Sequence, residues 1–192
     1  MKLLSTLALS LSICFASPVL SQDDTDPDPE PTPSTTGTIQ AYAQDDWSSY
    51  PDATAAGCLD ATGRLDFSDP PSCVTLENSD GFISTEDGDF LRILPDGRIL
   101  SIEEPSDYEV TRCTEIGENS EGVPSTFLTC TTSTFNEDYE VEEEFDSGPS
   151  WYPVSGSYAD DTIQLTGNGT DFGAVLGLVF VPVDYTADDI VV

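Results

Sequence analysis

Cysteines carry the clearest chemistry in this sequence. Cys58 and Cys73 are separated by fourteen residues, and Cys113 and Cys130 are separated by sixteen. The fifth cysteine, Cys14, lies in the N-terminal leader, so four remain in the mature chain. In an oxidising compartment four cysteines form two disulfides, for which three pairings are possible. We predict the sequential pairs, because each would close a local, hairpin-like unit. A zinc site is disfavoured, because the chain has no histidine and no Cys-x-x-Cys spacing.

Catalytic groups other than carboxyls are almost absent. Without histidine the chain has no Ser-His-Asp or Cys-His site and no histidine-ligated metal. Its single lysine, Lys2, lies in the N-terminal leader, which excludes a lysine nucleophile in the mature chain. Hydrolysis by a pair of carboxylates is left only because the other mechanisms are excluded. With 37 acidic residues, some pair lies at a suitable spacing by chance, so such a spacing is not evidence of catalysis. We predict no catalytic residue and no cofactor.

Four aromatic residues could present ring faces to a sugar: Trp47, Tyr50, Trp151 and Tyr152. Both tryptophans lie in segments rich in proline, serine and glycine, and we interpret the four as a candidate glycan platform. Packing in the core or at its edge is the favoured alternative, because it is usual for large aromatic side chains.

Acidic residues after the first cysteine pair approach the spacing of a calcium-binding loop. Asn78, Asp80 and Asp87 stand at the third, fifth and twelfth positions of such a loop, and a looser calcium site could be formed by Asp80, Glu86, Asp87 and Asp89. The first ligand position is occupied by Leu76, and no helix pattern flanks the segment. A turn-rich acidic surface is therefore favoured, and no metal is predicted.

Net charge restricts the possible partners. The chain carries 37 acidic and five basic residues, a formal charge of −32. Loss of the leader with Lys2 leaves four arginines and a formal charge of −33. Such a chain lacks the cations that nucleic acids and anionic membranes require. A neutral glycan, a cell-wall component or a basic extracellular protein stays open as a partner.

The N-terminal segment predicts secretion. Residues 1–21 combine a positive start, an apolar run over 3–15 and small residues before Gln22, as in a signal peptide. Residues 22–37 are acidic and proline-rich, and we expect them to be disordered. Residues 38–192 form the domain. Within it, Asn168 begins the single N-glycosylation sequon, Asn-Gly-Thr.

The domain alternates short apolar runs with turn residues. Runs on either side of Pro95-Asp96-Gly97 predict a hairpin, as does the segment 59–67. Between Tyr139 and Phe145 apolar residues alternate with glutamates, and Glu143 breaks the phase. Residues 174–183 are the most apolar stretch and predict a core strand buried on both faces. We therefore expect an all-β, disulfide-stapled sandwich or small barrel.

Short motifs around the cysteines resemble the C-terminal accessory domain of fungal ribonucleases of the T-two type. The matching stretches span Thr38 to Leu165: Gly57-Cys58-Leu59, Gly63, Cys73-Val74-Thr75-Leu76, Cys113, Leu128-Thr129-Cys130, and Ser157-Tyr158-Ala159-Asp160 with Gln164. The chain departs from that pattern at Leu65, where an aromatic residue is usual, and in its long acidic segment between Cys73 and Cys113. The catalytic domain with its histidine motifs is missing. The resemblance implies an all-β accessory fold, attachment to a wall or glycan, and no catalytic residue.

Three functions follow from these observations. The first is a secreted, non-enzymatic β-domain that binds a glycan or wall component. The second is an acidic, effector-like protein whose face over residues 137–146 docks a basic protein. The third and least favoured is a carboxylate hydrolase. Binding of a neutral sugar by stacking is insensitive to salt, whereas docking by charge is not.

Overall fold

The computed structural model describes residues 34–95, 98–116, 126–169 and 174–183. The predicted signal peptide (1–21) and residues 22–33 of the predicted tail lie outside this part of the chain. Among the described residues, no helix is long and apolar enough to span a bilayer.

Nearly all regular structure is β, which confirms the predicted class. One short 3₁₀ helix, Gln44–Ser49, follows the first strand. The strands are β1 (Thr35–Ala43), β2 (Gly57–Leu59), β3 (Leu65–Asp66), β4 (Leu76–Ser79), β5 (Phe82–Thr85), β6 (Phe90–Leu94), β7 (Ile99–Glu103), β8 (Glu109–Glu115), β9 (Leu128–Phe135), β10 (Val141–Ser147), β11 (Tyr152–Pro153), β12 (Thr162–Ile163), β13 (Leu165–Thr166) and β14 (Leu176–Pro182).

Strand β1 begins three residues before the predicted domain boundary at Thr38. Residues 35–37, assigned to the tail from composition, pair with Leu76–Asn78 of β4. Gly37 also lies opposite Pro182 of β14, where a Cβ would stand 2.5 Å from the Val181 carbonyl oxygen. A glycine that looked like a linker residue is therefore required by close strand packing.

The larger sheet follows the order β11-β13-β7-β6-β5-β4-β1-β2-β3-β12. Strands β4 and β2 pair with successive stretches of one edge of β1, and β14 pairs with its other edge. The chain closes this path beside β11. The backbone N–H of Trp151 donates to the Leu176 carbonyl at 2.8 Å, and the backbone N–H of Leu176 donates to the Trp151 carbonyl at 2.9 Å. Because Trp151 directly precedes β11 and Leu176 begins β14, hydrogen bonds run around a nearly closed barrel.

The smaller sheet has the order β10-β9-β8 and packs against the barrel. The Cys113 N–H donates to the Gly81 carbonyl at 2.8 Å, and the Ile93 N–H donates to Thr111 Oγ1 at 3.2 Å. The β9–β10 ladder shifts register between Val141 and Glu143. This bulge lies where the alternation of the sequence loses its phase.

One main core joins the two sheets. Buried residues of the barrel, including Ile39, Leu59 and Leu100, cluster with Leu128 of the smaller sheet. Strand β14 is buried on both faces over Leu176–Val179, because Leu178 enters this cluster and Val179 enters a second one with Trp47 and Phe127. The rest of the predicted core stretch is only half-buried or exposed. The predicted hairpins are also present, as β6–β7 and β2–β3.

Both predicted disulfides are formed. Cys58 of β2 is bonded to Cys73, with a Cα–Cα distance of 5.3 Å. Cys113 and Cys130 are direct neighbours in the β8–β9 register, with a Cα–Cα distance of 4.0 Å. Three of the four cysteines are buried, and Cys73 is exposed. The first bond ties the loop after β3 to β2, and the second links β8 to β9 within the smaller sheet.

Loss of either disulfide should destabilise the domain strongly. In the chain-entropy model, a loop of this size contributes about 3 kcal/mol. Replacement of Cys113 and Cys130 by serine, and separately of Cys58 and Cys73, should each lower the melting temperature. The melting temperatures of both double variants, and of the oxidised wild type with and without reductant, are measured by thermal unfolding. An unchanged melting temperature after verified reduction would contradict the stabilising role.

Candidate functional site

The two tryptophans are buried and do not share a surface. Trp151 is 0% exposed within the main core, and Trp47 is 6% exposed within the second cluster. The Trp47 indole N–H donates to the Tyr42 carbonyl at 3.1 Å. Neither ring offers a face to a ligand, so the predicted four-residue platform is wrong and core packing is the correct alternative. Loop composition indicated an irregular backbone but could not indicate where the side chains go.

The two tyrosines of that set are half-buried, and their described neighbours are different residues. The Tyr50 ring packs edge-on against Tyr42 and Phe127, at centroid distances of 5.1 and 5.7 Å. Tyr152 lies in β11, where its ring fills the space beside Gly169. Asn168, next to that glycine, is exposed in the segment after β13, and its glycosylation stays a prediction.

The four acidic residues weighed for calcium are not brought together. Asp80 lies in the turn between β4 and β5, and its carboxylate pairs with Arg112 at 2.8 Å. Residues 86–89 lie in the turn at the opposite end of β5. Among the described residues, no group of three or more acidic or cysteine side chains is placed to hold a metal ion.

An acidic hairpin, formed by β9, β10 and the turn between them, is the most charged feature of the described chain. Residues 137–146 carry seven acidic side chains, and all seven are exposed. None of them forms an ion pair with a described residue. The Asn136 side chain orders the turn by accepting the N–H groups of Asp138 and Glu140, at 3.0 and 2.9 Å.

Strand β10 is the edge of its sheet, so one side of its backbone has no neighbouring strand among the described residues. Apolar side chains accompany the charge near the turn. Tyr139 is 72% exposed and Val141 is 57% exposed, while Tyr108, beside Phe135, is 48% exposed. The hairpin therefore combines a free edge, unpaired carboxylates and exposed apolar contacts.

The arginines do not neutralise this hairpin. Arg92 pairs with Glu103 and Glu109, and Arg112 pairs with Asp80. Arg64 donates to Ser157 and Thr162. Arg98 comes nearest the hairpin, but it donates to the Asp146 carbonyl and stacks on the Phe145 ring rather than pairing with a carboxylate.

A pocket of about 230 Å³ opens on the barrel side of the smaller sheet, and we call it the Glu115 pocket. Its polar wall comes from Asn78, Glu115 and Thr126, and its apolar wall includes Tyr50, Phe180 and Val181. Partial burial raises the pKa of the Glu115 carboxyl above its ordinary value. Glu115 is the one carboxylate among the described residues that line this pocket. Sequence reasoning missed the pocket, because its walls come from segments far apart in the chain.

Searches with this chain against family models, curated proteins and solved structures give no match.

Trp151→Ala should destabilise the fold by about 3–5 kcal/mol, because it empties a fully buried site beside the barrel closure. Trp151→Phe should cost less. It keeps most of the ring and removes an indole N–H that is buried without a partner among the described residues. Chemical denaturation of both variants is the measurement. Equal losses, or a negligible loss for alanine, would contradict a core role.

Asp66 should stabilise the fold at neutral pH. Its carboxylate accepts the N–H groups of Ser68 and Ser72, at 2.8 and 2.7 Å, and the hydrogen bonds with Ser68 and then Ser72 lower its pKa. The contribution of the Asp66 carboxylate to the stability of the fold is fully present above its unfolded pKa of about 3.9. It is lost as the pH falls through the lower pKa of the folded state. The melting-temperature gap between wild type and Asp66→Asn should shrink below pH about 4. For the control Asp87→Asn, which lies on an exposed turn, the difference in melting temperature from wild type should be small at every pH. A difference for Asp66→Asn that does not change with pH would refute the stabilising role of the Asp66 carboxylate.

Proposed function

We propose that this chain is a secreted, non-enzymatic binding module and that its acidic hairpin docks a basic protein partner. The observation that carries the proposal is the exposed edge strand β10, whose four acidic side chains have no cationic partner in the described chain. Secretion is supported by the two disulfides, which form and persist outside the reducing cytosol.

The free edge of β10 suits an extended segment of the partner. An added strand hydrogen-bonds to the unpaired backbone, and the neighbouring side chains then decide which sequences are accepted. Acidic side chains on an edge repel other copies of the same acidic protein. The same charges attract a strand rich in lysine or arginine, so the hairpin discriminates between partners by charge.

Exposed apolar side chains supply the short-range part of such an interface. Tyr139 and Val141 flank the start of β10, and Tyr108 lies on the far side of β9, next to Phe135. Aromatic residues surrounded by polar ones are typical contact residues in protein interfaces. We expect charge to speed and orient the encounter and these side chains to slow dissociation.

The other two hypotheses have less support. Glycan binding can no longer rest on Trp47 and Trp151, because both are buried. Hydrolysis by the usual mechanism needs two carboxyl groups across one cleft, and Glu115 has no second carboxylate among the described residues of its pocket. Wall attachment and the likeness to the ribonuclease accessory domain stay predictions.

Replacement of the acidic residues of β10 should weaken binding of a basic peptide. The probe is a synthetic peptide of alternating lysine and valine, measured by calorimetry with the oxidised mature protein at low and high salt. Glu142→Gln/Glu143→Gln/Glu144→Gln should bind about tenfold more weakly at low salt, a loss of about 1.4 kcal/mol. Raising the salt should weaken wild-type binding, because exposed charges are screened.

A charge-matched variant separates a local site from general attraction. Glu86→Gln/Asp87→Asn/Asp89→Asn removes the same three charges from the turn between β5 and β6. It should bind almost as tightly as wild type. Equal weakening by both triple variants would mean that net charge alone attracts the peptide, and the proposed docking surface would be abandoned.

A further inference from the structure

We propose that the Glu115 pocket is a subsite for one neutral, hydroxylated ring, such as a single sugar residue of a glycan. The site is separate from the turn of the acidic hairpin and from Glu142–Glu144 at the start of β10. Glu115 pairs with Leu128 at one end of the β8–β9 ladder, whereas the turn of the hairpin lies beyond the other end. The seven residues of β8 separate the two regions by about 20 Å, at about 3.3 Å per residue.

The apolar wall of the pocket is held in place by the second core cluster. Tyr50 and Val181 both pack against that cluster, which contains Tyr42, Trp47, Phe127 and Val179. The Tyr50 ring is contacted on its edges by two of these aromatic rings. A ring face that is already fixed loses little freedom when a ligand packs on it, which favours binding.

Polar atoms of the pocket lining have unused hydrogen-bonding capacity. Thr126 Oγ1 is buried and has no hydrogen-bond partner among the described residues, which is unusual for a buried hydroxyl. Asn78 Oδ1 accepts the Gly81 N–H at 3.0 Å, and no described residue accepts from its amide NH₂. The Glu115 carboxyl supplies further acceptor oxygens, on a side chain that lines the pocket and is exposed overall.

This combination of groups selects the chemical class of the ligand. The amide of Asn78 donates, the carboxylate of Glu115 accepts, and the hydroxyl of Thr126 does both. Sugar hydroxyls also donate and accept, so they can satisfy all three groups. An ammonium or guanidinium group only donates and would leave the Asn78 amide unmatched. An anion would meet the Glu115 carboxylate and a chain of formal charge −32.

The size of the pocket limits the ligand to one ring. Its volume of about 230 Å³ is below the ~300–1,000 Å³ of pockets that enclose drug-sized molecules. A longer glycan would place one residue in the pocket, with its polar edge toward Thr126 and an apolar face toward Tyr50, and the remainder would extend outside.

The test uses neutral hexasaccharides of glucose (β-1,3 and β-1,4 linked) and of N-acetylglucosamine, titrated into the ¹⁵N-labelled, oxidised mature protein. Chemical-shift changes should centre on Asn78, Glu115 and Thr126, and the affinity should be the same at low and high salt. Thr126→Val, which keeps the shape but removes the hydroxyl, should weaken binding about tenfold, a change of about 1.4 kcal/mol. Glu115→Gln should also weaken it.

Control variants keep this proposal separate from the hairpin. The Glu142/Glu143/Glu144 triple variant should bind the sugar normally, and Thr126→Val should bind the lysine peptide normally. The proposal is overturned by the absence of pocket shifts with every hexasaccharide, or by unchanged sugar affinity in folded Thr126→Val and Glu115→Gln. Pocket shifts caused by methylammonium and not by sugars would overturn it as well, because they would assign a cation site.

Discussion

Strand β1 is the pairing on which the rest of the structure depends. One of its edges is matched with β14 over seven consecutive residues, and the other is shared between β4 and β2. The strand therefore joins the last described strand to both branches of the larger sheet. Long-range pairing of this kind must bring distant parts of the chain together before it is stabilised. The two disulfides offset part of this entropic cost, because each closes a loop in the unfolded chain.

Like charge sets the second constraint. A chain with 37 acidic residues resists compaction, so its few cations have large structural roles. Arg64 connects the turn after β2 to residues near β12. Arg92 joins β6 to β7 and β8 through two glutamates, and Arg112 joins β8 to the β4–β5 turn. Because the arginines connect separate elements, the carboxylates of β10 have no cationic partner in the part of the chain that the structure describes.

Local features of the fold could be predicted from the sequence, and non-local ones could not. The disulfide pairs, the β6–β7 hairpin and the phase break near Glu143 all depend on residues close together in the chain. By contrast, the segment from Thr162 to Leu165, which reads as one strand, is divided between two neighbours. Ile163 pairs with β3, whereas Leu165 pairs with β11. No periodicity within four residues reports such a change of partner.

The same distinction between local and non-local features explains why the positions of the aromatic side chains could not be predicted from the sequence. Trp151 is buried because its backbone pairs with Leu176, a partner 25 residues later in the chain, and this pairing turns the indole into the core. Tyr50 lines a pocket because β8, β14 and the 3₁₀ segment meet beside it. A composition of Pro, Ser and Gly specifies neither event. The acidic hairpin could be located from sequence because its charge lies in one continuous segment, whereas the Glu115 pocket required the assembled fold.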